Sequence, residues 1–94
     1  MSNAVPSRLK SLLESLEEFP HDFVIKFIGR NTERFRASVL RFEKDYPTLR
    51  TQNRRESTGS GHVAHTYLYL AKSADEIIEI LDRVAKIEDV HMVL

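Results

Sequence analysis

Asp22-Phe-Val-Ile-Lys-Phe-Ile-Gly29-Arg-Asn-Thr-Glu-Arg-Phe35 is the stretch whose reading decides the fold. Phe23, Ile25 and Phe27 alternate with Val24, Lys26 and Ile28, a strand pattern with one wholly apolar face and one face interrupted by a charge. The odd-numbered face is therefore the expected core face. Gly29 follows as the point where the backbone is expected to turn sharply, and Asn31 or Thr32 can cap a helix beyond it. Phe35, Val39, Phe42 and Tyr46 then recur at spacings of four, three and four, the one-sided stripe of an amphipathic helix. Pro47 ends it, because proline disfavours helical geometry in the residue before it.

Downstream, Leu49 to Ser57 is too polar to be buried on either face, so it is predicted as an edge strand, where charge also discourages stray sheet pairing. Ser57-Thr-Gly-Ser-Gly61 is a turn or hairpin loop. His62 to Ala71 is a strand with Ala64, Thr66, Leu68 and Leu70 on one face and Val63, His65, Tyr67 and Tyr69 on the other. Ser73-Ala-Asp-Glu76 has the spacing of a capping box. The helix it starts should run to about Lys86, burying Ile77, Leu81 and Val84, with Ala74, Ile78, Ile80 and Ala85 widening the stripe. Val90 to Leu94 is a last strand, with Val90, Met92 and Leu94 expected to point inward.

Upstream, Leu9, Leu12, Leu13, Leu16 and Phe19 fall at helical spacing between Pro6 and Pro20, which suits an amphipathic N-terminal helix. The organisation is thus an N-terminal segment, 1–20, and a domain, 21–94. The order β-α-β-β-α-β points to an α+β, ferredoxin-like sandwich. Its antiparallel sheet runs 4-1-3-2, both helices cover one face, and the N-terminal helix is an addition. The polar second strand then falls at an edge, as its composition requires.

Ninety-four residues, 41% of them hydrophobic, supply one core. The absence of cysteine removes disulfides, thiolate nucleophiles and Cys-based metal sites, and it fits a cytoplasmic protein. The charged first twenty residues have the pattern of neither a secretory signal nor a membrane span. Net charge is zero, yet residues 26–55 carry nine Lys/Arg against three acids, whereas residues 73–94 carry six acids against two bases. Such a dipole either steers an anion or another copy to one side, or reflects two solvated helix faces.

Glu18-Phe19-Pro20, then Phe23, Lys26 and Gly29, with the terminal Val90-His-Met-Val-Leu94, resemble the YbeD-like family of small bacterial proteins of unknown function over roughly residues 12–94. The resemblance implies a ferredoxin-like fold related to the ACT regulatory domains of amino-acid metabolism. Family members are also labelled regulators linked to lipoate. The family's hairpin runs close to Ser-Lys-Gly-Asn-Tyr, whereas Gly59-Ser-Gly-His-Val63 here lacks the lysine and tyrosine, and His91 replaces the basic residue before the final Met-Val-Leu.

Two candidate sites follow. Gly29, Arg30, Asn31 and Thr32 lie where a strand meets a helix, so free amides, the helix dipole and a guanidinium can gather around a small anion; the plainer reading is a turn glycine and a helix cap. ACT-like domains, by the resemblance, bind amino acids near such a turn. Lys26, His65, Tyr67, Tyr69, His91 and Val93 are expected as neighbours on the sheet face opposite the helices, a surface for a partner. An RNA-recognition surface wants aromatics on both central strands, which a face of Val24, Lys26 and Ile28 does not offer.

The histidines show no shared metal geometry, because His62 and His65 point to opposite faces and the first strand separates His65 from His91. An acylphosphatase-like enzyme reading founders on the missing second loop glycine and on Glu33, and no other catalytic set stands out. The sequence thus reads as a noncatalytic, ACT-like regulatory or interaction module without a cofactor or membrane attachment. A homodimer or protein partner and a small anionic metabolite, an amino acid or a lipoate-related compound, are its expected associates. A nucleic-acid binder using the open sheet face is the competing reading.

Overall fold

Alternation in Asp22–Ile28 is realised as β1 (His21–Arg30), at the centre of a four-stranded antiparallel sheet. The computed structural model describes residues 11, 12, 14, 15, 18–57, 59 and 61–94. After β1 come α1 (Glu33–Asp45), β2 (Arg50–Ser57), β3 (His62–Ala71), α2 (Ala74–Ala85) and β4 (Val90–Val93). The sheet order is β2-β3-β1-β4, the predicted 4-1-3-2 read from the other edge. Residues 11, 12, 14 and 15 are helical and Leu12 is half exposed; the rest of the expected N-terminal stripe, Leu9, Leu13 and Leu16, lies outside the described residues.

Ile25 and Phe27 are fully buried, and both helices lay their apolar stripes on this side of the sheet. Phe35, Val39 and Phe42 come from α1, while Ile77, Ile80 and Val84 come from α2. Ile80 rather than Leu81 lies at the centre of the α2 stripe. Phe27 meets four rings: Phe35 at 6.2 Å, Phe42 at 5.9 Å, His65 at 5.5 Å and Tyr67 at 5.8 Å between centroids.

That packing decides which face of β3 is buried. The register sets Phe23 opposite Tyr69, Ile25 opposite Tyr67 and Phe27 opposite His65. Directly opposed residues of an antiparallel pair share a face, so the tyrosines and His65 lie under the helices. This corrects the expectation that they border the open face. Val24, Lys26 and Ile28 face solvent with Leu68, Thr66 and Ala64 as their partners.

Gly29 does not turn the chain; β1 runs on through Arg30. The glycine is needed because any Cβ there would intrude on the fully buried ring of Phe35. At the same point the pairing of β1 with β4 shifts register between Ile28 and Gly29, so Val90 opposes Gly29 while Met92 opposes Ile28. Such a bulge upsets the simple alternation along β4. Val90 packs partly against the core, but Met92 is 46% and Leu94 59% exposed, contrary to their expected inward placement.

The structure chooses Thr32 over Asn31 as the α1 cap and keeps Ser73 for α2, each with a detail that spacing did not give. Thr32 caps α1: its Oγ1 accepts from the Phe35 amide at 3.1 Å and donates to Asp89 Oδ2 at 2.7 Å. Ser73 caps α2 by accepting from the Glu76 amide at 3.3 Å, whereas Glu76 reaches back to the Lys72 amide, 2.8 Å away, rather than to that of Ser73. Part of the charge asymmetry closes within the molecule, where Glu88 takes Arg34 at 3.0 Å and Arg41 at 3.4 Å; Asp45 takes Arg83 at 3.2 Å.

Gly29→Ala should lower stability by about 1–3 kcal/mol, the usual cost of overpacking, in chemical denaturation. Thr32→Val should cost about 1–2 kcal/mol through loss of the cap, and Thr32→Ser should restore most of it, because the serine hydroxyl can again accept from Phe35 and donate to Asp89. Equal losses for valine and serine would show that the hydroxyl is not what matters.

Candidate ligand site

The end of β1 and the start of α1 are tied down from three directions. The Arg30 amide donates to the Asp89 carbonyl at 3.1 Å, the Asn31 amide to the Gly61 carbonyl at 2.7 Å and the Thr32 amide to the Arg30 carbonyl at 2.8 Å. Asp89, in the left-handed backbone region at φ 62°, brings its carboxylate to the Thr32 hydroxyl at the mouth of the helix. An internal anion therefore already faces the positive end of α1. Of the four residues expected around a ligand, Gly29 is packed against Phe35, Thr32 is engaged as the cap, and Arg30 stands exposed opposite His62.

Asn31 has a different use. Its Oδ1 accepts from Arg36 Nη1 at 2.7 Å, holding that guanidinium one turn along α1. Arg36 lines a cleft of about 300 Å³ between α1 and the β2–β3 side of the sheet. Phe35, Val39 and Leu40 form its apolar helix wall, and Val63 and His65 come from β3. Arg54 and Glu43 supply the remaining charge.

The cleft exists because β2 cannot close the core. Register sets Thr51 opposite Tyr67, Arg54 opposite His65 and Glu56 opposite Val63, so the helix-side face of β2 is polar throughout these pairs. Arg54 and Glu56 meet at 2.9 Å along that face. With no apolar side chain from the edge to meet Val39 and Leu40, α1 overhangs a gap. The polarity read from the sequence as protection of an edge thus also shapes a concavity.

Beside this gap runs a partly buried polar chain. The Tyr67 hydroxyl donates to Glu43 Oε2 at 2.6 Å and lies 3.4 Å from His65 Nδ1. The Tyr67 and His65 rings are parallel within 5°, with centroids 5.9 Å apart. Burial pushes the His65 pKa below its ordinary value; Glu43 opposes that shift and Arg54 adds to it. Burial, helped by the hydrogen bond and charge of Glu43, pushes the Tyr67 pKa far up. Near neutral pH both side chains are uncharged, leaving Arg36 and Arg54 against Glu43 as the formal charges of the cleft.

The six residues expected to share the open face are divided, and Val93, 39% exposed, opposes Phe27 on the helix side instead. Lys26 and His91 are exposed, whereas His65, Tyr67 and Tyr69 are buried beneath the helices. The imidazoles that converge are His62 and His91, 5.4 Å apart between centroids. Among the described residues no three His, Asp or Glu side chains form a group suited to a metal ion. No described helix is long and apolar enough to cross a membrane. Sequence reasoning missed Glu43 and Arg54 and met Arg36 only in the acylphosphatase-like reading; the usable signal was the period-two placement of Arg54 on the same face as Thr51 and Glu56 once the bulge after Thr51 is allowed for.

Comparison with known structures supports the architecture. The ACT domain of a GTP pyrophosphokinase from Chlorobium tepidum matches with a TM-score of 0.59, covering 79% of this chain and 97% of that one at 14% sequence identity. None of the curated proteins matches the chain. A family model covers residues 14–94, and the chain belongs to that family, DUF493, the YbeD-like proteins of unknown function.

Proposed function

We propose that the chain is a noncatalytic, ACT-like regulatory module that binds a small amphipathic anion in the cleft between α1 and the β2–β3 edge. One observation carries this reading: two guanidiniums, Arg36 and Arg54, border a concavity whose helix wall is Phe35, Val39 and Leu40. Apolar walls with a few placed polar groups are the usual make-up of a small-molecule site. Guanidinium forks suit carboxylates or phosphates. Asn31 fixes one of the two in advance, which lowers the ordering cost of binding. Of the residues 29–32, Asn31 alone is tied to this site, through Arg36, and the ACT-like fold adds an analogy to a domain carried within a larger enzyme.

A nucleic-acid role for the open face has less behind it. All five phenylalanines and all three tyrosines belong to the core cluster or pack against it, on the helix side of the sheet. The open face offers Lys26 among Val24, Ile28, Thr66 and Leu68, a surface without phenylalanine or tyrosine platforms for stacking bases.

The test is a thermal-shift and calorimetric screen of amino acids, short hydroxy acids, unsubstituted acids and lipoate. Arg36→Ala and Arg54→Ala should each weaken the strongest binder about tenfold, the worth of one charge-assisted hydrogen bond, while Arg30→Ala should leave it unchanged. Loss of binding in Arg30→Ala with both cleft variants intact would return the ligand to the turn.

A further inference from the structure

His65 is 7% exposed, lies beneath α1 and lines the cleft. Its ring is packed on Phe27 at 5.5 Å and Phe35 at 5.8 Å, which fixes the imidazole plane. The hydrogen-bond chain then favours one tautomer. The shorter bond, 2.6 Å, takes the Tyr67 proton to the Glu43 carboxylate, leaving the phenolic oxygen as an acceptor toward His65 Nδ1 at 3.4 Å. A neutral imidazole has one N–H, so placing it on Nδ1 leaves Nε2 with a lone pair.

Among the described residues no fully buried side-chain nitrogen or oxygen lacks a partner, and the imidazole's hydrogen-bonding contact runs through Nδ1. Nε2 is accordingly the atom that His65 presents to the cleft. It is a neutral acceptor in a site whose other polar groups are the Arg36 and Arg54 guanidiniums and the Glu43 carboxylate, the last already accepting from Tyr67. An acceptor in such a place is left unmatched by a plain carboxylic anion, whose oxygens carry no proton to donate.

We infer that His65 Nε2 accepts a hydrogen bond from a hydroxyl or amide N–H on the bound anion, so that the cleft selects a hydroxylated or amide-bearing small acid over the corresponding unsubstituted acid. An ammonium donor fits less well, because the guanidiniums repel it while Glu43 is already engaged by Tyr67 and Glu56 by Arg54. The groups facing the imidazole are Glu43 and Arg36 from α1, Arg54 from β2 and Tyr67 on its own strand, with Phe27 of β1 supplying only its ring. The selectivity rests on the anion-binding reading above; the tautomer does not.

Two measurements on the full chain separate them. Nitrogen NMR of the imidazole in the ligand-free protein should show the Nδ1–H tautomer; an Nε2–H signal would overturn the inference whatever the protein binds. Calorimetry with hexanoate and 6-hydroxyhexanoate should give tighter binding of the hydroxy acid by about three- to tenfold, the range for one neutral hydrogen bond. His65→Phe, which keeps a ring in the aromatic stack, should abolish that preference, so that the variant binds the two acids equally; a preference kept by the variant would overturn the role of Nε2. Equal binding of the two acids by the unmodified protein would sink the selectivity alone. Failure of both to bind at any soluble concentration would sink the anion-binding reading beneath it, and the selectivity with it.

Discussion

Everything else in the molecule is arranged around the ring of Phe27. It touches Phe35 and Phe42 from α1 edge-on and Tyr67 and His65 from β3 more nearly face-on. Aromatic pairs at such distances add about 0.5–1.5 kcal/mol each beyond simple burial. The cluster therefore fixes the helix position and the inward face of the neighbouring strand together. Gly29 is the condition for it, since the Phe35 ring occupies the space that a side chain on β1 would need.

Orienting β3 by its aromatic face has two consequences for function. Tyrosine and histidine rings that would have made an exposed platform become part of the interior. Their polar ends must then be satisfied, and Glu43 from α1 reaches in to accept from Tyr67. This contact is available because the region lies at the border of the core, where the helix-side residues of β2 are Thr51, Arg54 and Glu56. A fully apolar edge strand would have filled the cleft and sealed the polar groups beneath it.

Element order and the Ser73 cap were legible in the sequence because each rests on local rules of alternation, helical spacing and capping chemistry; the sheet order followed from the handedness of the crossovers, and the α1 cap narrowed to Asn31 or Thr32. The faces of β3 were not. Leucine at 68 and 70 suggested burial more strongly than tyrosine at 67 and 69, and only the register with β1, set by packing, reverses that. Met92 was misplaced for a similar reason, since one bulge opposite Ile28 and Gly29 changes what alternation implies. The candidate site was half legible. Asn31 was singled out, but its long-range role as the anchor of Arg36 depends on where a flexible side chain settles, and Asp89 arrives at the Thr32 cap from 57 residues away.

Stability alone gives a weak account of the polar atoms in the cleft. Phenylalanine at 65 or 67 could keep much of the ring packing around Phe27, and a buried hydroxyl or imidazole nitrogen must be desolvated before its hydrogen bonds return only about 1 kcal/mol each. The Tyr67 hydroxyl recovers that cost through Glu43. His65 recovers it at one nitrogen, through a long contact of 3.4 Å, and keeps the other available in the gap that β2 leaves open. An imidazole held rigidly by its neighbours, uncharged near neutral pH and half satisfied is a poor structural prop and a well-placed acceptor. The same edge strand whose polarity limits the core thus leaves Arg54 and His65 side by side, a donor and an acceptor on one wall of one cleft.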